Sequence, residues 1–339
     1  MNYRMEGRFD IMNKIRPFVQ DRKPLIDLLP LKTPLTVIVE TGNTCNFKCR
    51  FCYNSINTRK EDIFLPPDLF RKIISDLDSF DEKIDTFVVS GDVDPLRHPN
   101  FIDFIKIARA CKKVKKLKMS TNASLLTTSM ADDIISSGMD IIQISINGMD
   151  DEHYKYITNT DISFDEILSN VKYLHSIKKN AHIHIKCIGD FFSKEQQDKF
   201  YVVFSPFCDS INIERKANVW LDMDFDDSIN GNRFGLEDVN TSEICSRPFY
   251  SMKIHFDGNV DFCPTSNTVS LSIGNVNVSS LYDMWNGKEI YDLRMSFLHG
   301  DYKHKYEKCS KCRFTEIQSS ADLTPYRNLL TAKFENNMV

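Results

Sequence analysis

From about residue 34 to residue 215, short apolar runs alternate with stretches whose apolar residues recur at helical spacing. That alternation restricts the chain to βα units on a parallel sheet, because parallel neighbours need a crossover long enough to hold a helix. The strand-like runs fall at 34–40, 85–90, 115–121, 140–146, 182–188 and 210–214. Between them Phe70, Ile73, Ile74 and Leu77 share one helical face, as do Phe101, Phe104, Ile105 and Ala108. Phe164, Ile167, Leu168, Val171 and Leu174 repeat the pattern. Ser193 and Gln196 read as a capping box, and Gly138 as a helix stop. Six such units are counted, two short of a closed (β/α)8 ring.

The first strand runs into Thr41-Gly42-Asn43-Thr44, which breaks it, and then into Cys45, Cys49 and Cys52. Loops at the C-terminal ends of strands are where open and closed α/β barrels place their chemistry. A structural zinc site wants a closed set of four ligands. Three thiolates fall one short of the four that complete a [4Fe–4S] cluster, so one iron is left open to a small molecule.

After residue 215 the texture changes. Residues 217–243 are rich in Asp, Asn and Gly and read as a connecting loop. A hairpin follows, with strands over 251–256 and 259–263 and a two-residue turn at Asp257-Gly258. A helical segment over 279–298 leads to Cys309-Ser310-Lys311-Cys312. The hairpin brings Cys245 and Cys263 together, and Cys309 with Cys312 supplies a second pair. Four thiolates close a site, and by spacing alone zinc competes with an iron–sulfur cluster there. Cys111 and Cys187 fall on apolar faces and read as core, whereas Cys208 stands just before the sixth strand and is less readily absorbed.

The composition, 42% hydrophobic and 27% charged, is that of an ordinary globular protein. A net charge of −4 gives no general attraction to nucleic acid or anionic membrane. The short basic run Lys112-Lys113-Val114-Lys115-Lys116 reads as a solvated connection between helix and strand. No apolar stretch is long enough to span a bilayer, and the charged N-terminus lacks a secretory h-region. The expectation is a cytoplasmic protein whose ten cysteines serve metal or cluster binding before disulfides.

The Cys triplet, with the aromatic Phe51 before its last member, resembles the signature of the radical S-adenosylmethionine (SAM) superfamily. The resemblance implies that Cys45, Cys49 and Cys52 hold a [4Fe–4S] cluster whose open iron chelates SAM, with Phe51 beside the adenine. Ser90-Gly91-Asp92-Val93-Asp94-Pro95 stands where the family has a Gly-rich loop ending in Glu-Pro. Here Val93 replaces a glycine and Asp94 the glutamate; Gly91 and Asp94 are the expected contacts to the methionine part of SAM. Asn122, in a Thr-Asn-Ala version of the family's Thr-Asn-Gly, is expected to touch SAM or substrate. Ser145 matches the strand-four serine near the ribose, and Lys186 and His184 are candidates for the SAM carboxylate or a substrate oxygen.

Residues 245–312, with Gly274-Asn275-Val276 and Leu281-Tyr282-Asp283-Met284-Trp285, look like the SPASM/twitch extension of that superfamily, in the shorter twitch form with one auxiliary [4Fe–4S] cluster. The implied architecture is α/β, a partial (β/α)6 barrel with a small C-terminal hairpin-plus-helix extension. The expected division is an N-terminal segment 1–33, a barrel 34–216, a linker and auxiliary-cluster region 217–312, and a tail 313–339. The implied activity is that of a radical SAM oxidoreductase that dehydrogenates or epimerises a hydroxylated small molecule such as a sugar, aminocyclitol or glycan precursor. Its reductant would be a flavodoxin or ferredoxin-type protein. For epimerisation, Cys208 is the candidate hydrogen donor. A maturase acting on a ribosomally made peptide is the second reading, and a zinc-binding interaction module without catalysis the third.

Overall fold

Each of the six apolar runs forms a strand, and the six lie side by side and parallel. They are β1 (Thr36–Glu40), β2 (Ile84–Ser90), β3 (Val114–Thr121), β4 (Ile141–Ser145), β5 (His182–Ile188) and β6 (Ser210–Glu214). The computed structural model describes residues 14–17, 23–57, 61–216, 242–265, 271–317 and 321–336. The expected connecting loop at 217–243 therefore lies almost wholly outside the described residues, as does most of the N-terminal segment.

Helices cross over between the strands, each begun by a local device. Thr127, Asp150 and Ser163 each accept a hydrogen bond from the backbone N–H three residues on, and Ser193 with Gln196 forms a reciprocal capping box. Gly138, at φ +87°, ends the helix Thr128–Ser136 in the left-handed region that glycine enters freely. The helices Pro67–Asp76 and Phe101–Ala110 meet through Phe70 and Phe104, whose rings stack at 4.1 Å. Strand residues alternate between this helix-facing core and the barrel lumen. Ile142, Ile144, Ile183, Ile185 and Ile211 are buried toward the helices. Toward the lumen, Ser145 lies opposite Lys186, which lies opposite Asn212, and Gln143 lies opposite His184 and then Ser210.

The C-terminal extension does not stand apart. Its strands β7 (Ser251–Ile254), β8 (Asn259–Asp261) and β9 (Ser272–Asn275) continue the same sheet, giving the order β6-β5-β4-β3-β2-β1-β7-β8-β9. β7 runs parallel to β1, with Ile38 opposite Lys253, and β8 and β9 are antiparallel additions. The expected two-residue turn is corrected to three residues, Phe256-Asp257-Gly258, closed by His255 N–H donating to Asn259 O at 2.8 Å. A two-residue type I′ turn needs positive φ at both centres, and here only Gly258, at +88°, adopts it. β9 had no counterpart in the sequence reading. The single helical segment expected at 279–298 divides into Leu281–Asn286 and Lys288–His299 at Gly287.

The two ends of the chain are tied in. Ile15 bridges to Ile211 at the β6 edge, and Trp285 Nε1 donates to Leu31 O at 3.0 Å. The C-terminal helix Arg327–Asn336 buries Leu330 and Phe334, the latter against Phe249. No described helix is long and apolar enough to cross a membrane.

Candidate metal centres

The loop after β1 is held in place before its cysteines begin. Asn43 accepts from Ile63 N–H through its side-chain oxygen at 2.8 Å and donates through its amide to Glu61 O at 3.0 Å. Farther on, Lys48 and Arg50 N–H donate to Thr158 O and Ile157 O, and Phe47 is buried against Tyr154. The turn between is tight, with Cys52 N–H donating to Cys49 O at 2.8 Å.

Burial raises all three thiol pKa values. Cys45 rises to about 12, with the Asp94 carboxylate adding to the effect, and Cys49 rises well above its ordinary value, with the charges of Cys52 and Cys45 adding. Cys52 rises too, and Asn54 partly offsets this by donating to its Sγ at 3.6 Å. Three partly or wholly buried thiols, with Cys45 and Cys49 opposed further by their neighbours' charges, lose that penalty when a cation binds them, so the donor set fits a metal cluster.

The remaining residues expected at this site gather at the same edge of the sheet. Gly91, at φ +77°, packs on Glu40, where an added Cβ would lie 2.9 Å from the glutamate's Cα, Cβ and Cγ. Both oxygens of Asp94 are engaged: Oδ1 accepts from Leu96 N–H at 3.0 Å, and Oδ2 from Thr121 Oγ1 at 2.8 Å and Asn122 N–H at 2.7 Å. Aspartate at this position thus ties the loops after β2 and β3 together. Asn122 donates through its amide to Asn46 Oδ1 at 3.0 Å, and Asn46 donates to Ser124 Oγ at 2.8 Å. Asn46, inside the cysteine motif, was missed by the sequence reading, although its place there was the available signal.

Phe51 rests tilted against Phe191, with ring centroids 5.4 Å apart. Ser145 and Lys186 end up opposite each other, and Lys186 Nζ pairs with Glu214 Oε2 at 2.9 Å. His184 is buried and shares a hydrogen bond with Ser210 Oγ at 2.8 Å. Burial, aided by the neighbouring Lys186 charge, lowers its pKa to about 3, so it is neutral. Asn212, also missed, is buried with neither its side-chain nitrogen nor its oxygen hydrogen-bonded within the protein.

Cys208 lies apart from this group. It precedes β6 and so lies at the N-terminal edge of the sheet, a strand's length (roughly 15 Å) from the edge that carries Cys45, Cys49 and Cys52. It is buried, its Sγ faces Ser205 O at 3.6 Å, and burial raises its pKa to about 12. The structure therefore does not bring Cys208 together with the other expected site residues.

The second set meets at one place. Cys245, Cys263, Cys309 and Cys312 line a cavity of about 30 Å³ together with Phe262 and Phe297. Phe297 stacks on Tyr302 at 4.1 Å and meets Phe262 edge-on. Among the described residues no three His, Cys, Asp or Glu side chains converge as the ligand set of a single ion; the four sulfurs instead surround a shared space. Burial raises the Cys309 thiol to about 12 and Cys312 to about 11, with Cys263 adding to both. Cys245 is raised further by burial, then by Cys263 and Cys312. An all-thiol, largely apolar pocket fits an iron–sulfur cluster with every corner ligated.

Comparison with known proteins agrees with this geometry. The radical SAM superfamily profile matches residues 39–191, and the profile of SPASM, an iron–sulfur cluster-binding domain, matches residues 245–313. An uncharacterized protein of Methanocaldococcus jannaschii is 28% identical over 153 residues, 43% of this chain and 46% of that one. The match thus spans less than half the length of that curated relative. Among solved structures, BtrN in complex with AdoMet and 2-DOIA is similar with a TM-score of 0.59 at 17% identity, covering 85% of this chain and 96% of that one. SuiB of Streptococcus suis bound to the precursor peptide SuiA gives 0.62 at 16% identity, covering 90% and 75%. At such identities the likeness is one of fold. With three thiols after the first strand and four around a second cavity, the chain carries a radical SAM superfamily region over residues 39–191 and a SPASM iron–sulfur cluster-binding domain over residues 245–313.

Proposed function

We propose that the protein is a radical SAM oxidoreductase that dehydrogenates a hydroxylated small molecule bound in the barrel lumen. The observation that carries this reading is the contrast between an incomplete set of three thiols and a complete set of four on one continuous sheet. When bound, a [4Fe–4S] cluster on Cys45, Cys49 and Cys52 supplies with SAM a 5′-deoxyadenosyl radical, and a single auxiliary [4Fe–4S] cluster on the other four supplies a one-electron acceptor.

The chain's own residues supply orientation. Phe51, Gly91, Asp94, Asn122 and Ser145 surround the SAM position in this reading, with Asp94 acting through the backbone it fixes. Lys186, Glu214 and Asn212 form a polar patch for hydroxyl groups, and Asn212 has both a donor and an acceptor to offer. Desolvated amide groups of this kind reward a ligand that pairs with them and penalise one that does not. Glu214, held by Lys186, is placed to accept a hydroxyl proton. None of the three cysteines outside the two sets faces the lumen: Cys208 lies at the far edge, Cys187 turns toward the helices, and Cys111 caps a helix C-terminus. That favours dehydrogenation over epimerisation. A flavodoxin or ferredoxin-type protein is the reductant in this reading.

Anaerobic reconstitution is expected to give about eight irons per chain, against about four if the second set takes zinc. Cys45→Ala should abolish 5′-deoxyadenosine formation from SAM and dithionite; undiminished cleavage would refute the assignment. The Cys309→Ala/Cys312→Ala variant should still cleave SAM but lose product turnover. A screen of sugars, aminocyclitols and peptides for 5′-deoxyadenosine above background tests the substrate class, and stimulation by peptides alone would overturn it.

A further inference from the structure

A row of five charged side chains, alternating in sign, crosses the seam between barrel and extension. Lys253 of β7 has no exposed side-chain surface; it bonds the Asp92 carboxylate on one side and lies 3.5 Å from Glu40 Oε1 on the other. Glu40 Oε2 meets His255 Nδ1 at 2.9 Å, and His255 Nε2 meets Asp261 Oδ2 at 2.9 Å. The order is Asp92, Lys253, Glu40, His255, Asp261, contributed by the loop after β2, by β7, by the end of β1, by the turn and by β8.

Each end of the row reaches a cysteine set. The carbonyl of Asp92 accepts from Asn54 Nδ2 at 2.7 Å, and the same amide touches Cys52 Sγ. Asp261 is two residues from Cys263, and Lys308, beside Cys309, is near enough for the charges of Cys263, Lys253, Asp92 and Asp261 to act on it.

Buried ion pairs are poor stabilisers, because desolvation offsets most of their attraction, so the row's stability does not account for its place. Its place does matter to redox chemistry. Reduction adds negative charge to a cluster, and a fixed cation in a poorly screened interior favours the reduced state over several ångströms. We propose that this row links the two cysteine sets electrostatically, so that Lys253, as a positioning residue, sets the reduction potentials of the groups bound at both. The proposal rests on the two-cluster reading above. Failure of that reading would show separately, as native protein with iron for fewer than two clusters.

The test is an anaerobic redox titration of the reconstituted full chain, followed by electron paramagnetic resonance at two pH values. Lys253→Met should move both midpoint potentials to more negative values. Glu40, Asp92 and Asp261 face the vacated position, with His255 and Lys308 nearby. If Glu40 or Asp92 takes up a proton to compensate, both potentials become pH-dependent where the native ones are flat. Lys253→Arg keeps the charge and should leave both near native. Potentials that stay native at both pH values in a folded, fully loaded Lys253→Met variant would overturn the proposal, as would a shift at one set alone. Should that variant not fold, Asp92→Asn carries the test with the opposite sign: the potential at the four-cysteine set should rise, and no change there would overturn the link.

Discussion

Two histidines in this molecule are driven in opposite directions by their surroundings. Burial lowers His184 to about 3, with Lys186 adding, whereas His255 rises to about 9 because its bonds to Asp261 and Glu40 outweigh burial. For His255, the folded value lies above the unfolded one of about 6.5, so its stabilisation is complete below pH 6.5 and is lost as pH rises through 9. For His184 the sign reverses: its contribution is complete above pH 6.5 and is lost as pH falls toward 3. Denaturant unfolding of the reconstituted protein should therefore show stability falling between pH 6.5 and 9, by up to about 3 kcal/mol from His255, and His255→Gln should flatten that limb. At this scale the cysteines were legible because thiols at fixed spacing have few structural uses. Lys253 and Asn212 were not, since alternation in a strand marks a polar residue's face without naming what it meets across the sheet.

Among the elements, the turn at 256–258 decides most. Three residues between His255 and Asn259 set Lys253 opposite Asp261, whereas the two-residue turn expected from Asp257-Gly258 would shift every pair by one. That register puts Lys253, His255 and Asp261 on a common face, where they build the charged row. Strand positions could be read because apolar runs bounded by turn residues are a strong signal. The turn length could not, since glycine serves both hairpins and differs only in how many positive φ values surround it. Gly258→Val adds a branched side chain at φ +88°, with its Cβ 2.8 Å from Asn277 Nδ2. It should cost about 1–3 kcal/mol, read from the denaturant midpoint, and should disturb the pairing of Lys253 with Asp261.

For the molecule as a whole, the parallel pairing of β7 with β1 merges what the sequence presents as two regions. Cysteine spacing and the shift in composition after residue 215 suggest a boundary, and neither reports on strands that pair across more than 200 positions. The Lys253 pairs, the Trp285 bond to Leu31 and the packing of Phe334 on Phe249 add to the seam. Thermal or denaturant unfolding of the loaded protein should accordingly be a single transition seen alike by circular dichroism and by cluster absorbance; two separated transitions would show independent units. The same seam bears on engineering. β1 carries the loop with Cys45, and β8, paired to β1's neighbour β7, leads to Cys263, so the placement of the two sets follows from strand pairing and not from a tether. The extension is therefore no interchangeable cassette. A graft from a relative would have to reproduce the edge of β1 strand for strand, and the unit that can be moved between proteins is the whole nine-stranded sheet.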